Sequence, residues 1–193
     1  RAGGVRLRLS RGHTVRERET TAEWSGWVGD GHELLRLGWE GGGWTADGVI
    51  AGPDGLHYVV RLDAGWQLRQ FLLFRDDVEP DLWLGVDPAG RWGEVNGARR
   101  PELDGATDVV MAVTPFTHTP IVRRLGVAAG DSIEVRVAVV DPDTLGVIAE
   151  RHRYTRLAVD RWSHETGDGV VTELAVDADG LVLDHPGRFR RLL

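Results

Sequence analysis

At 193 residues the chain is long enough for one domain with a full core. It has no cysteine, which excludes disulfides and thiolate metal sites, and no apolar run near the roughly 18 residues a membrane span needs. Its net charge of −7 argues against a general nucleic-acid binder, whose phosphate contacts need a basic surface.

The charge is uneven. Residues 1–20 hold six Arg and two Glu, a balance of +4, which leaves about −11 for the remainder. These residues read as a basic tail, disordered or an extension, ahead of one domain spanning 21–193. No apolar h-region follows the Arg-rich start, so a cytoplasmic location is expected.

From Trp24 onward, short apolar segments alternate with Gly, Pro and Asp turns, the pattern of an all-β chain. Trp24 to Val28 is a first strand. Glu33 to Trp39 and Trp44 to Ala51 form a hairpin over Gly41-Gly42-Gly43. Gly52-Pro53-Asp54-Gly55 turns into Leu56 to Asp63, where Tyr58, Val60 and Leu62 share a face. Trp66 to Arg75 follows, with Trp66, Leu68, Gln70, Leu72 and Phe74 on one side. Leu82 to Val86 is the next strand. Arg91 to Val95 and Ala98 to Leu103 flank Asn96-Gly97, a strong hairpin signal.

Asp108 to Val113 leads into Thr114 to Gly126, which differs from the rest. Thr119 reads as a helix N-cap, Pro120 as the first helical residue, Arg123 and Arg124 as the last turn and Gly126 as the stop. Ser132 to Val140 then alternates with period two, and Ile148 to Leu157 and Ala158 to His164 continue the pattern. Val170 to Val176 pairs with Leu181 to Asp184 across Asp179-Gly180, and Arg188 to Leu192 closes the chain. About twelve strands joined by hairpin loops imply antiparallel neighbours in a barrel or partly open barrel, with a short helix at 119–125 plugging an end or a seam.

Chemistry is harder to place. The seven His show no metal-ligand spacing and read as scattered surface groups. No serine lies in a nucleophile elbow, and Gly26 to Gly31 lacks the strand–turn–helix context of a phosphate loop. The eight Trp read mainly as core, although a flat apolar ring with one N–H donor also suits a sugar or acyl surface. Arg69 and Arg156 sit within strands, either solvated or lining a polar pocket for a charged headgroup. No cofactor or metal is expected.

Thr114-Pro115-Phe116-Thr117-His118-Thr119-Pro120-Ile121-Val122-Arg123-Arg124-Leu125 resembles the hallmark of the putative glycolipid-binding family of bacterial proteins. Trp66 with Arg69, Leu103-Asp104-Gly105 ahead of Asp108, Arg153-Tyr154-Thr155-Arg156-Leu157 and Val176 to Gly187 are similar to further family segments, in the same order. His118 stands where the family more often has Asn, and Trp162 and His185 where Tyr is usual. The resemblance covers roughly residues 24–193 and implies a distorted, unclosed β-barrel that holds a lipid or glycolipid. Candidate ligand-binding residues are Trp66, Arg69, Thr117, His118, Arg123, Arg124, Tyr154 and Arg156. The leading expectation is a non-enzymatic binder whose ligand tail enters the barrel. A small-molecule enzyme with a pocket around His118, a purely structural β protein, and a homodimer stay open.

Overall fold

The structure is a computed structural model that describes residues 19–52, 55–75 and 78–192. Most of the basic tail and the two central residues of the 52–55 turn therefore lie outside the described residues. The tail's last two residues, Glu19 and Thr20, already belong to strand β1 (Glu19–Gly26), which starts earlier than the sequence suggests.

Fourteen strands form one sheet, against about twelve expected. Six consecutive hairpin pairings run from β1 through β2 (His32–Glu40), β3 (Gly43–Ala51), β4 (Leu56–Asp63), β5 (Leu68–Phe74) and β6 (Leu82–Val86) to β7 (Trp92–Glu94). On the other side of β1 lie β14 (Phe189–Arg191), β13 (Val182–His185), β12 (Val171–Val176), β11 (Arg161–Glu165), β10 (Val147–Ala158) and β9 (Ser132–Val140), ending at β8 (Asp108–Val110). The β1–β14 pair, with Trp24 opposite Arg191, joins the two halves. β7 and β8 are the free edges, so the sheet curls without closing, and β8 lies against β5. The mostly β, unclosed architecture with one short helix is thus the observed one.

Three local expectations are revised. In β5 the pairing shifts between Leu62↔Leu68 and Arg61↔Gln70, leaving Arg69 as an extra residue. This bulge switches the inward face from Leu68 to Phe71 and Leu73, so the run Leu68, Gln70, Leu72, Phe74 is not one face. Residues 98–103 are not a strand. After the Asn96-Gly97 turn, one bridge joins Gly93 and Arg99, and Pro101–Leu103 then form a 3-10 turn. Pro101 lacks the N–H a ladder requires, and Trp92 N–H donates instead to the Asp104 carboxylate at 2.9 Å. Finally, β8 pairs in parallel with β9, because the hallmark segment crosses over between them.

That crossover is a 3-10 turn, Phe116–His118, running into helix α1 (Thr119–Arg124). Thr119 is already helical (φ −59°, ψ −48°), and its buried hydroxyl has no partner among the described residues, so it is not a side-chain cap. The turn is stapled earlier. Thr114 Oγ1 accepts the Phe116 N–H at 3.1 Å, and Thr117 Oγ1 accepts the Met111 N–H at 3.3 Å. Leu125, extended at φ −76° and ψ 100°, ends the helix in place of Gly126. Two apolar clusters fill the interior. One, around Trp24, Tyr58, Phe71, Trp92 and Phe116, occupies the curl of the N-terminal strands. The other, around Ile121, Val137, Tyr154, Trp162 and Leu174, lies beneath α1.

Candidate functional site

Cross-strand register builds the site. Val135 faces His152, Val137 faces Glu150, Tyr154 faces His164, and His164 faces Thr172. Opposed residues project to the same side of a sheet, so β9 to β12 present Glu150, His152, Tyr154, His164 and Thr172 on one surface. The turn before α1 lays His118 over it. His185 and Phe189 enter from β13 and β14, and Arg188 from the loop between them. Between these groups is a cavity of about 240 Å³. Val110, Val139, Val170 and Phe189 contribute apolar lining, and the histidines, Glu150, Thr114, Asp168 and Arg188 polar lining.

Four of the seven histidines, His118, His152, His164 and His185, are buried around this cavity. This overturns the expectation of scattered surface His, which among the described residues holds only for His32 and His57, half-exposed beside Glu23 and Asp47. The rings touch. The centroids of His118 and His164 are 4.6 Å apart, and those of His152 and His164 4.9 Å. Hydrogen bonds string them together: Glu150 Oε2 to His152 Nε2 at 3.1 Å, His152 Nδ1 to His164 Nε2 at 3.0 Å, and His118 Nδ1 to the Tyr154 hydroxyl at 2.8 Å.

Burial strips water from these rings and disfavours the charged form. It holds His118 well below the usual imidazole range, aided by the neighbouring histidines and Arg188. Burial, then the charges of His152, His185 and Arg188, bring His164 down to about 3. Burial and Arg188 bring His185 to about 4. Tyr154 is pushed well up by burial and by Asp108, and stays protonated. Near neutrality His118, His164 and His185 are therefore uncharged. Arg188 donates to the Ala112 carbonyl at 3.4 Å and pairs with no carboxylate among the described residues.

A second buried network adjoins the first through Thr114. The hydroxyls of Tyr58 and Thr114 both donate to Glu33 Oε1, at 2.5 Å and 2.7 Å, while Glu33 Oε2 has no partner among the described residues. Burial raises the Glu33 carboxyl to about 7, and the two hydroxyl donors only partly oppose it.

Of the sequence candidates, the structure brings together His118 and Tyr154. Thr117 is turned back onto Met111 and Thr114, holding the turn that places His118. The others lie elsewhere. Arg124 grips Asp108, and Arg123 reaches the Asp179 carbonyl and lies 4.4 Å over the Trp66 ring. Trp66 is buried and stacks on Trp44 at 4.8 Å. Arg69 pairs with Asp63 at 2.6 Å. Arg156 donates to the Val127 carbonyl at 2.9 Å. His152, His164, His185, Glu150 and Arg188 were missed. They come from separate elements that only the register brings together, and the one visible signal was period-two placement of Glu150, His152 and Tyr154 in β10.

Among the described residues no group of three or more His, Asp or Glu is placed to hold a metal ion. No helix among them is long and apolar enough to cross a membrane.

The sequence profile of the family described as Putative glycolipid-binding matches residues 21–191. The chain belongs to this family. Among solved structures it is similar to a DUF1089 family protein from Pseudomonas aeruginosa. That match has 28% identity and a TM-score of 0.66, over 96% of this chain and 100% of the other. No curated protein matches it. The hallmark of this glycolipid-binding family member thus supplies both His118, in the cavity, and Arg124, which is spent on the fold.

Proposed function

We propose that this protein binds an amphipathic ligand of glycolipid type without transforming it. The polar headgroup sits in the histidine-lined cavity, and the apolar tail leaves along Val139, Val170 and Phe189. One observation carries this reading: a cavity lined by both hydrogen-bonding groups and apolar side chains. Its 240 Å³ falls short of the roughly 300–1,000 Å³ of drug-sized pockets, which suits a compact headgroup better than a whole lipid. The curl of the barrel, where a tail was expected to enter, is filled by the Trp24, Phe71 and Trp92 cluster.

Burial of the tail supplies affinity at about 25 cal/mol per Å², and the polar groups supply orientation. The enzymatic alternative would gain from His118, Tyr154 and Arg124 converging on one cavity; His118 and Tyr154 meet, whereas Arg124 is held by Asp108. Imidazoles brought down to about 3 and 4 are also weak bases near neutral pH.

The test is calorimetric titration of delipidated protein with octyl glucoside below its micelle threshold. The expected outcome is saturable one-site binding that Val170→Asp and Phe189→Ala both weaken. Absence of saturable binding rejects the proposal.

A further inference from the structure

Hydrogen-bond direction in the cavity is set by which atoms can give a proton. A carboxylate oxygen accepts, so a His152 ring with one proton gives it from Nε2 to Glu150. His152 Nδ1 is then bare and must accept, which makes His164 Nε2 the donor across their 3.0 Å contact. His164 Nδ1 is left as a lone pair. It has no partner among the described residues and is not sealed in, so it opens on the cavity that His164 lines.

His118 takes the same tautomer but is held at its other nitrogen. The Tyr154 hydroxyl is buried and has no other acceptor among the described residues, so it gives its proton to His118 Nδ1 at 2.8 Å. His118 then carries its own proton on Nε2. A bare nitrogen and an N–H thus lie on two rings whose centroids are 4.6 Å apart. Beside them, His185 is 5% exposed and its Nδ1 is buried without a partner among the described residues. An unpaired buried polar group is destabilising, and a ligand that bonds it relieves the penalty.

We propose that Glu150, acting through His152, fixes the proton of His164 so that the cavity sets a bare acceptor beside the His118 donor, a pair that recognises a neutral hydroxyl and rejects anions. A hydroxyl both donates and accepts, so it satisfies both rings at once. A sulfate, phosphate or carboxylate only accepts and would meet the His164 lone pair with one of its own. The remaining charges do not reverse this preference, since Glu150 and Asp168 line the cavity against the single guanidinium of Arg188. The inference rests on the glycolipid reading and names its headgroup as an uncharged polyol. Glu150 is a positioning residue in this scheme and does not itself touch the ligand.

Long-range proton–nitrogen correlation spectra of ¹⁵N-histidine protein at roughly pH 8, where imidazoles are neutral, test it without ligand. His118, His152 and His164 should each show Nε2–H with bare Nδ1. Glu150→Leu should leave His152 and His164 averaging between tautomers and weaken octyl glucoside binding about tenfold, while Glu150→Gln, which keeps an acceptor, stays near wild type. Octyl glucoside should bind more tightly than octyl sulfate. A His164 proton found on Nδ1, or octyl sulfate binding the tighter, overturns the inference. If neither compound binds while the tautomers stand, the glycolipid reading fails and the relay is upheld.

Discussion

Both carboxylate oxygens of Asp108, a side chain only 2% exposed, are held by the Arg124 guanidinium at 2.9 Å and 2.5 Å. The same guanidinium donates to the Trp66 carbonyl at 3.1 Å. Arg124 therefore ties α1 to edge strand β8 and to the β4–β5 turn, where the open sheet would otherwise be weakest. Arg124→Met leaves a buried carboxylate without its partner and should destabilise by about 3 kcal/mol, read from the urea midpoint. Arg124→Met combined with Asp108→Leu should recover much of that loss, because no buried charge then remains. A double variant as unstable as the single one would show that the pair has no such role.

The strands were legible wherever one face is buried. In β9, Val135 and Val137 lie in the cluster beneath α1, while Glu134 and Arg136 face solvent, as period-two alternation predicts. Hairpins marked by Gly41-Gly42 and Asp179-Gly180 also formed where expected. The Arg69 bulge was not legible, since a bulge depends on the partner strand. The cavity was hidden for a related reason. His118, His152, His164 and His185 are separated by 12 or more residues, and only folded register gathers them. Ligand-like chemistry was sought in Arg123 and Arg124, whose charges are taken up by the fold itself.

Gly180 has φ +75°, and a Cβ there would lie 2.8 Å from Arg123 Cγ. Gly97 has φ +86° with nothing nearby. Both positions penalise an L-side chain by about 1 kcal/mol through the backbone, but only Gly180 adds a clash. Gly180→Ala should therefore lower the melting temperature more than Gly97→Ala. Arg123→Ala should close the gap. Equal losses at the two glycines would mean that Arg123 moves aside freely and does not brace the β12–β13 turn.

Trp66 holds a left-handed backbone at φ +66°, rare for a bulky residue, and it is pinned between Trp44 and Arg123. Trp66→Ala should cost about 3–5 kcal/mol through lost packing. Trp66→Gly should be the milder substitution by about 1 kcal/mol, reversing the usual order, because glycine tolerates this φ. Octyl glucoside affinity, measured on the folded fraction, should not change in either. A selective loss of affinity would move Trp66 from the fold to the ligand site.

The pH dependence of stability sets the histidines against Glu33. Imidazoles whose folded values lie below the ordinary 6.5 add stability that is complete above that pH and is lost as acid protonates the unfolded chain first. Glu33, raised from 4.5 to about 7, has the opposite sign: its burial destabilises fully above 7, and the penalty fades as pH falls towards 4.5. Between about pH 7.5 and pH 5, His164 and His185 each give up about 2 kcal/mol, while Glu33 returns about 2. His118 acts in the same direction as the other two histidines. The net expectation is a lower urea midpoint at the acid end. His185→Asn should flatten the profile. Glu33→Gln should raise stability above neutrality and steepen the acid loss, since it removes the one opposing group. A wild-type midpoint that climbs on acidification would mean that Glu33 outweighs the histidines and that the cavity is wetter than its geometry indicates.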